Sequence, residues 1–209
     1  MNKIFLILLT CLLVYPFPSF AHNYTGMIGF YDGISHPVLG LDHFLAMISV
    51  GILSAQIGGR AIWTVPTTFV FVMTIGGLIG FLFTIDNHFL IEMGIILSVI
   101  LLGFAISIDK KIPTKVIIFF VGIFGFFHGT AHGIEVPAAA NPILFILGFI
   151  CGTTALHLFG VSIGYFSIKT ALSSILLRLT GISFAIYGIY LLIQIFSSEL
   201  YPYRVQYKK

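Results

Sequence analysis

Charge is scarce in this chain. Lys, Arg, Asp and Glu together make up 8% of its 209 residues, where a typical soluble domain carries about 25%. A fold bathed in water is therefore excluded, because too little polar surface exists to cover it. Cysteine is nearly missing as well. Cys11 lies in a leader and Cys151 stands alone, so the mature chain has no disulfide and no thiolate cluster. Regular alternation of polar and apolar residues is absent, which excludes the strands of a membrane barrel. No phosphate-binding P-loop occurs, so the chain does not drive a process with ATP by itself. The formal net charge of +3 is too small and too dispersed to suggest a nucleic-acid partner.

What remains is apolar. Hydrophobic residues reach 58% and mean hydropathy is +1.10. In lipid every backbone N–H and C=O must be satisfied within the protein, so apolar runs of about 20 residues become helices. Lys3 followed by the apolar stretch Ile4 to Val14 reads as a secretory leader. Pro16 and Pro18 end it, and Ser19-Phe20-Ala21 resembles a cleavage site. Residues 1–21 are then a cleavable signal peptide, and 22–209 form a single transmembrane domain starting at His22.

About six spans follow, at roughly 37–57, 61–84, 88–107, 115–135, 142–167 and 173–196, joined by short links. The expected fold is an all-α polytopic membrane bundle. Arg60, Lys110, Lys111, Lys115, Lys169 and Arg178 fall in alternate links, while those around Asp86 and Pro137 to Asn141 carry no Lys or Arg. The positive-inside rule makes the first set cytoplasmic and places the mature N-terminus outside. The basic tail at Arg204, Lys208 and Lys209 runs against that rule. Spans one to three and four to six then run in opposite senses, an arrangement compatible with a 3+3 inverted repeat.

Polar groups at the centre of a span cost roughly 2.5–3.5 kcal/mol when charged, and they are functional candidates by default. Two clusters stand out. The first is HPVLGLDHFLAM, from His36 to Met47. On a continuous helix His36, Gly40, His43 and Met47 share one stripe. Asp42 lies on a neighbouring face, either to orient a ligand histidine on an adjacent helix or to bind directly. The second is FFHGTAHGIE, from Phe126 to Glu135. His128, His132 and Glu135 sit at i, i+4 and i+7, a facial edge of two imidazoles and a carboxylate. Gly129 and Gly133 thin the helix beside it, and Gly76, Gly77 and Gly80 mark a helix contact. The first motif opens a helix running inward and the second closes one running outward, so the two share a depth and can meet. His157 is either a second station on a pathway or a structural hydrogen bonder. Glu92 is either a relay or an interfacial residue. Asp86 and His88 belong to a loop.

At these two motifs the sequence resembles the HupE/UreJ family of nickel and cobalt permeases. The resemblance rests on an HPxxGxDHxxxM element in the first span and an FHGxAHGxE element in the fourth. It implies secondary uptake of a divalent transition metal across the bacterial inner membrane, without enzymatic activity or a prosthetic group. It implicates His36, Asp42, His43, His128, His132 and Glu135 as metal residues, with His22, Met47, Glu92 and His157 as weaker candidates. Imidazole and carboxylate donors suit Ni2+ or Co2+, and equally Zn2+ or Fe2+, but not copper(I). The implied partners are the metal ion and the bilayer. The competing readings are an intramembrane metalloenzyme and a non-transporting metal-binding partner protein. A zinc protease would need H-E-x-x-H, where this chain has H-G-T-A-H.

Overall fold

The computed structural model describes residues 29–83, 87–108, 112–136 and 141–200. They form seven helices: α1 (Phe30–Leu39), α2 (Leu41–Ile57), α3 (Ala61–Leu82), α4 (His88–Ser107), α5 (Thr114–Glu135), α6 (Pro142–Ser167) and α7 (Ala171–Leu200). No strand occurs among the described residues. The helices from α3 to α7 are each long and apolar enough to cross a membrane, and α1 with α2 makes a sixth if the pair is one span. The 22 residues of α3 rise about 33 Å, enough for a hydrocarbon core of about 30 Å.

The first expected span needs correction. It is not one helix over 37–57 but two, α1 and α2, bent by 87° at the break. Gly40 makes the break, with an extended backbone at φ −89°, ψ 116°. The stripe expected from His36 through Gly40 to Met47 therefore does not exist as a continuous helical face. The remaining spans agree with expectation to within a few residues.

Local signals set the helix ends. Asn87 caps α4 by accepting from the Leu90 N–H at 3.0 Å. Asn141 accepts from the N–H groups of Ile143 and Leu144, with Pro142 in the first turn, where its missing N–H costs nothing. Gly58 ends α2 at φ 77°, a conformation that L side chains rarely adopt.

Helix α2 is the axis of the bundle. Every residue from Phe44 to Ala55 is buried, as befits a helix that is apolar all round. The closest pairs are α3 with α5, α2 with α6, α4 with α7, and α1 with α6. Lipid offers no hydrophobic drive for helices to associate, so small residues that let backbones touch carry these contacts. A Cβ built on Gly129 would strike the Met73 carbonyl, and one on Gly133 the Gly77 carbonyl. Gly76 and Gly80 face Phe126 and Thr130 in the same way, which bears out the expected glycine contact. On α6, Gly148 and Gly152 receive α1, while Gly160 and Gly164 receive α2.

Exchanging the first three spans with the last three interchanges the α2–α6 and α3–α5 pairs and maps α4–α7 onto itself. The α2–α4 packing, however, has no equivalent between α5 and α7. The outward faces carry large apolar side chains, among them Trp63, Phe71, Phe104, Phe119, Ile143 and Ile193. A bilayer covers exposed apolar surface of this kind.

Candidate metal site

The helices alternate in direction, so the bundle has a basic end and a histidine end. Arg60, Lys115, Lys169 and Arg178 lie at the basic end, beside the starts of α3, α5 and α7 and the end of α6. The end of α5 and the start of α2 meet at the other end.

There the structure brings four histidines together. The His36 and His132 rings are 4.6 Å apart between centroids. His43 is 4.5 Å from His132 and 5.0 Å from His128. The bend at Gly40 does not scatter the first motif. It turns α1 across the bundle so that His36 approaches His132 from one side and His43 approaches from another. The convergence predicted from shared depth holds, through a different backbone.

Two of these rings are pinned through the same nitrogen. His43 Nδ1 donates to Asp42 Oδ1 at 2.8 Å, and the same oxygen accepts from the His43 backbone N–H. His128 Nδ1 donates to the Phe124 carbonyl at 2.9 Å. In a neutral imidazole the lone pair then resides on Nε2. Such a partner on the far nitrogen fixes the tautomer and orients the ring, as it does in metal sites generally. Asp42 thus holds the histidine next to it, where the sequence allowed it either to orient a histidine on an adjacent helix or to bind directly. The missing side chain of Gly40 leaves room for the pairing. A Cβ there would stand 3.0 Å from Asp42 Oδ1 and 3.1 Å from His43 Nδ1.

His128 is fully buried and His132 nearly so. No described group partners His128 Nε2, and a buried polar atom left unpaired costs about 1–3 kcal/mol. Among the described residues no three His, Cys, Asp or Glu side chains form a ready metal cage. The rings pack edge to face or tilted.

The other candidates are spread out. His22 lies outside the described residues, as does the Glu135 side chain at the end of α5. Met47 is buried in the apolar core, one turn beyond His43. Glu92 is exposed near the start of α4. His157 is buried on α6, and the Phe69 ring packs against both it and His128, at 5.1 Å and 5.4 Å between centroids. Phe69 escaped the sequence reading, as did Phe149, 4.3 Å from His132, and Phe145, 5.5 Å from His36. Among 22 phenylalanines no local pattern distinguishes them.

The string Gly160-Val161-Ser162-Ile163-Gly164 matches the serine-hydrolase pattern G-x-S-x-G, but it lies inside α6 instead of on a strand-to-helix turn. Ser162 Oγ donates to the Leu158 carbonyl at 2.9 Å, and both glycines pack against α2.

The family described as HupE / UreJ protein matches residues 9–191. Protein HupE of Rhizobium leguminosarum bv. viciae is 38% identical over 188 residues, which cover 88% of this chain and 96% of that protein. No solved structure gives a significant match. A helical membrane bundle with both histidine motifs, matched over most of its length, thus belongs to the HupE/UreJ family.

Proposed function

We propose that this protein is a permease that takes up a divalent transition-metal ion, nickel or cobalt, across the bacterial inner membrane. The observation that carries this reading is the meeting of His36, His43, His128 and His132 in one cluster. Imidazole nitrogens suit Ni2+ and Co2+, and the pinned Nδ1 atoms of His43 and His128 leave Nε2 as the ligating atom. Binding asks the rings to turn from edge-to-face packing until two or more lone pairs meet at the ion. Glu135, three residues after His132 in the sequence, is the carboxylate we assign to the same ion. The ion is cargo, so a site that is not a finished cage among the described residues suits release.

The motif's end of the bundle faces outward in this reading, because the opposite end holds Arg60, Lys115, Lys169 and Arg178. An impermeant thiol reagent should label a cysteine at position 138 and not one at 110 in intact cells. The reverse pattern overturns the orientation. His22, freed by cleavage of the leader, adds an α-amine and an imidazole for capture outside.

The test of the function is uptake by proteoliposomes, read as nickel or cobalt in the lumen by elemental analysis. Accumulation above protein-free vesicles is expected, and its absence refutes the permease. An enzyme reading finds less support. H-E-x-x-H is missing from the sequence, and Ser162 spends its hydroxyl on its own helix.

A further inference from the structure

Asp32 lies outside both histidine motifs, and the fold places it at the mouth of the histidine end. It precedes His36 by four residues on α1, so the two share a helical face with their Cβ atoms about 5–6 Å apart. Glycines seat α1 on α6 and so fix which way this face turns. A Cβ on Gly33 would strike the Phe145 carbonyl, and one on Gly148 the Phe30 carbonyl. The same contacts fix depth. Gly29 lies beside Asn141 and Leu144, where α6 starts, while Pro37 lies beside Gly152, about three turns further in. Asp32 therefore stands nearer the surface than His36.

The carboxylate is only partly committed. Its Oδ2 accepts from the Gly29 N–H at 3.1 Å, which ties down the first turn of α1. An uncharged amide oxygen would accept that bond as well, so the cap does not require the charge. No Lys or Arg among the described residues neutralises it, since Arg60, Lys115, Lys169 and Arg178 all lie at the basic end. The helix dipole favours an acid in the first turn, a benefit that any face of that turn would give. On the His36 face the acid also supplies an oxygen donor one turn outside an imidazole of the cluster.

We propose that Asp32 and His36 form an entry station, where a hydrated divalent cation is first held before it reaches the four histidines. The inference rests on the permease reading and adds to it the step before the cluster. A carboxylate oxygen and an imidazole nitrogen suit Ni2+ and Co2+. A negative group at a mouth raises the local concentration of cations, and two protein donors hold the ion weakly enough for it to move on. His36 belongs to the pair and also to the cluster, where its ring is 4.6 Å from that of His132. An ion held by the pair is thus already bound to one of the cluster's own residues.

The test uses the full-length protein with Ni2+ as the probe. Asp32→Asn keeps an acceptor for the Gly29 N–H and removes the charge. In proteoliposomes it should raise the Ni2+ concentration for half-maximal uptake about 10-fold, and Asp32→Glu, which restores the charge, should return it to within about 2-fold of wild type. An unchanged half-saturation in Asp32→Asn, or a loss that Asp32→Glu does not repair, overturns the proposal. The pair is also read without transport. In folded, monodisperse His43→Ala/His132→Ala protein in nanodiscs, equilibrium dialysis should find a weak Ni2+ site that a further Asp32→Asn weakens about 5-fold or more. Absence of that site, or its indifference to Asp32→Asn, overturns the proposal. If the wild type itself moves no metal, the permease reading fails, and the dialysis still decides whether the pair holds the ion.

Discussion

The two histidine motifs use the same ingredients and fold differently. Each places glycine between or beside imidazoles. In the first motif Gly40 takes an extended backbone and ends the helix, so that α1 and α2 diverge by 87°. In the second, Gly129 and Gly133 stay helical and lose their side chains to the backbone of α3. Glycine in one case supplies a bend and in the other a contact. The lesson is that a helical stripe is only one way to gather ligands. A break can bring residues of one motif to the same partner from two sides, as His36 and His43 both reach His132.

Substitutions can break this contrast in order of expected effect. Gly129→Leu comes first, because its side chain would enter the Met73 carbonyl. Backbone cannot step aside as a rotamer can, and overpacking of this kind costs about 3 kcal/mol or more. The α3–α5 pair should separate, read as loss of protein from the membrane fraction and of a monodisperse peak in detergent.

His43→Ala and His132→Ala come next. Each should leave the protein in the membrane, since small residues suit helix contacts, yet lower nickel or cobalt uptake more than 10-fold at matched expression. His88→Ala, at the exposed start of α4, should change uptake little. Equal uptake by all three variants and the wild type would leave the cluster as packing.

Gly40→Ala and Asp42→Asn sharpen the comparison. The alanine methyl would crowd Asp42 and His43, so uptake should drop without loss of folding, the opposite of Gly129→Leu. Asp42→Asn keeps the shape but weakens the bond that orients His43. Loss of such an orienting partner typically lowers metal affinity 10–100-fold, measurable by titration of the purified protein. The smallest effect is that of mild acid. Only unprotonated imidazole binds metal, so affinity should fall steadily as pH is lowered, and a pH-independent affinity would argue against histidine ligands.

Much of this was legible in the sequence. Runs of about 20 apolar residues gave the helices from α3 to α7 because membrane helices must satisfy their own backbones. Alternating helix direction then brought the two motifs to one end. The break at Gly40 was not legible. Gly40 spaces two histidines as it would within a continuous helix, and periodicity cannot tell a helical glycine from an extended one. The pairing of Asp42 with His43 follows from that break and was hidden with it. Phe69, Phe145 and Phe149 were hidden for another reason, since which aromatic rings meet the histidines depends on helix rotation and not on spacing.

The central claim is that histidines from α1, α2 and α5 ligate one ion. X-ray absorption at the nickel edge tests it most directly, on purified full-length protein loaded with one equivalent of Ni2+. The account predicts a shell containing at least two imidazole nitrogens, with the outer-ring scattering that imidazole gives, and its loss in the His43→Ala/His132→Ala double variant. An oxygen-only shell in the wild type, or an unchanged spectrum in the double variant, would contradict it.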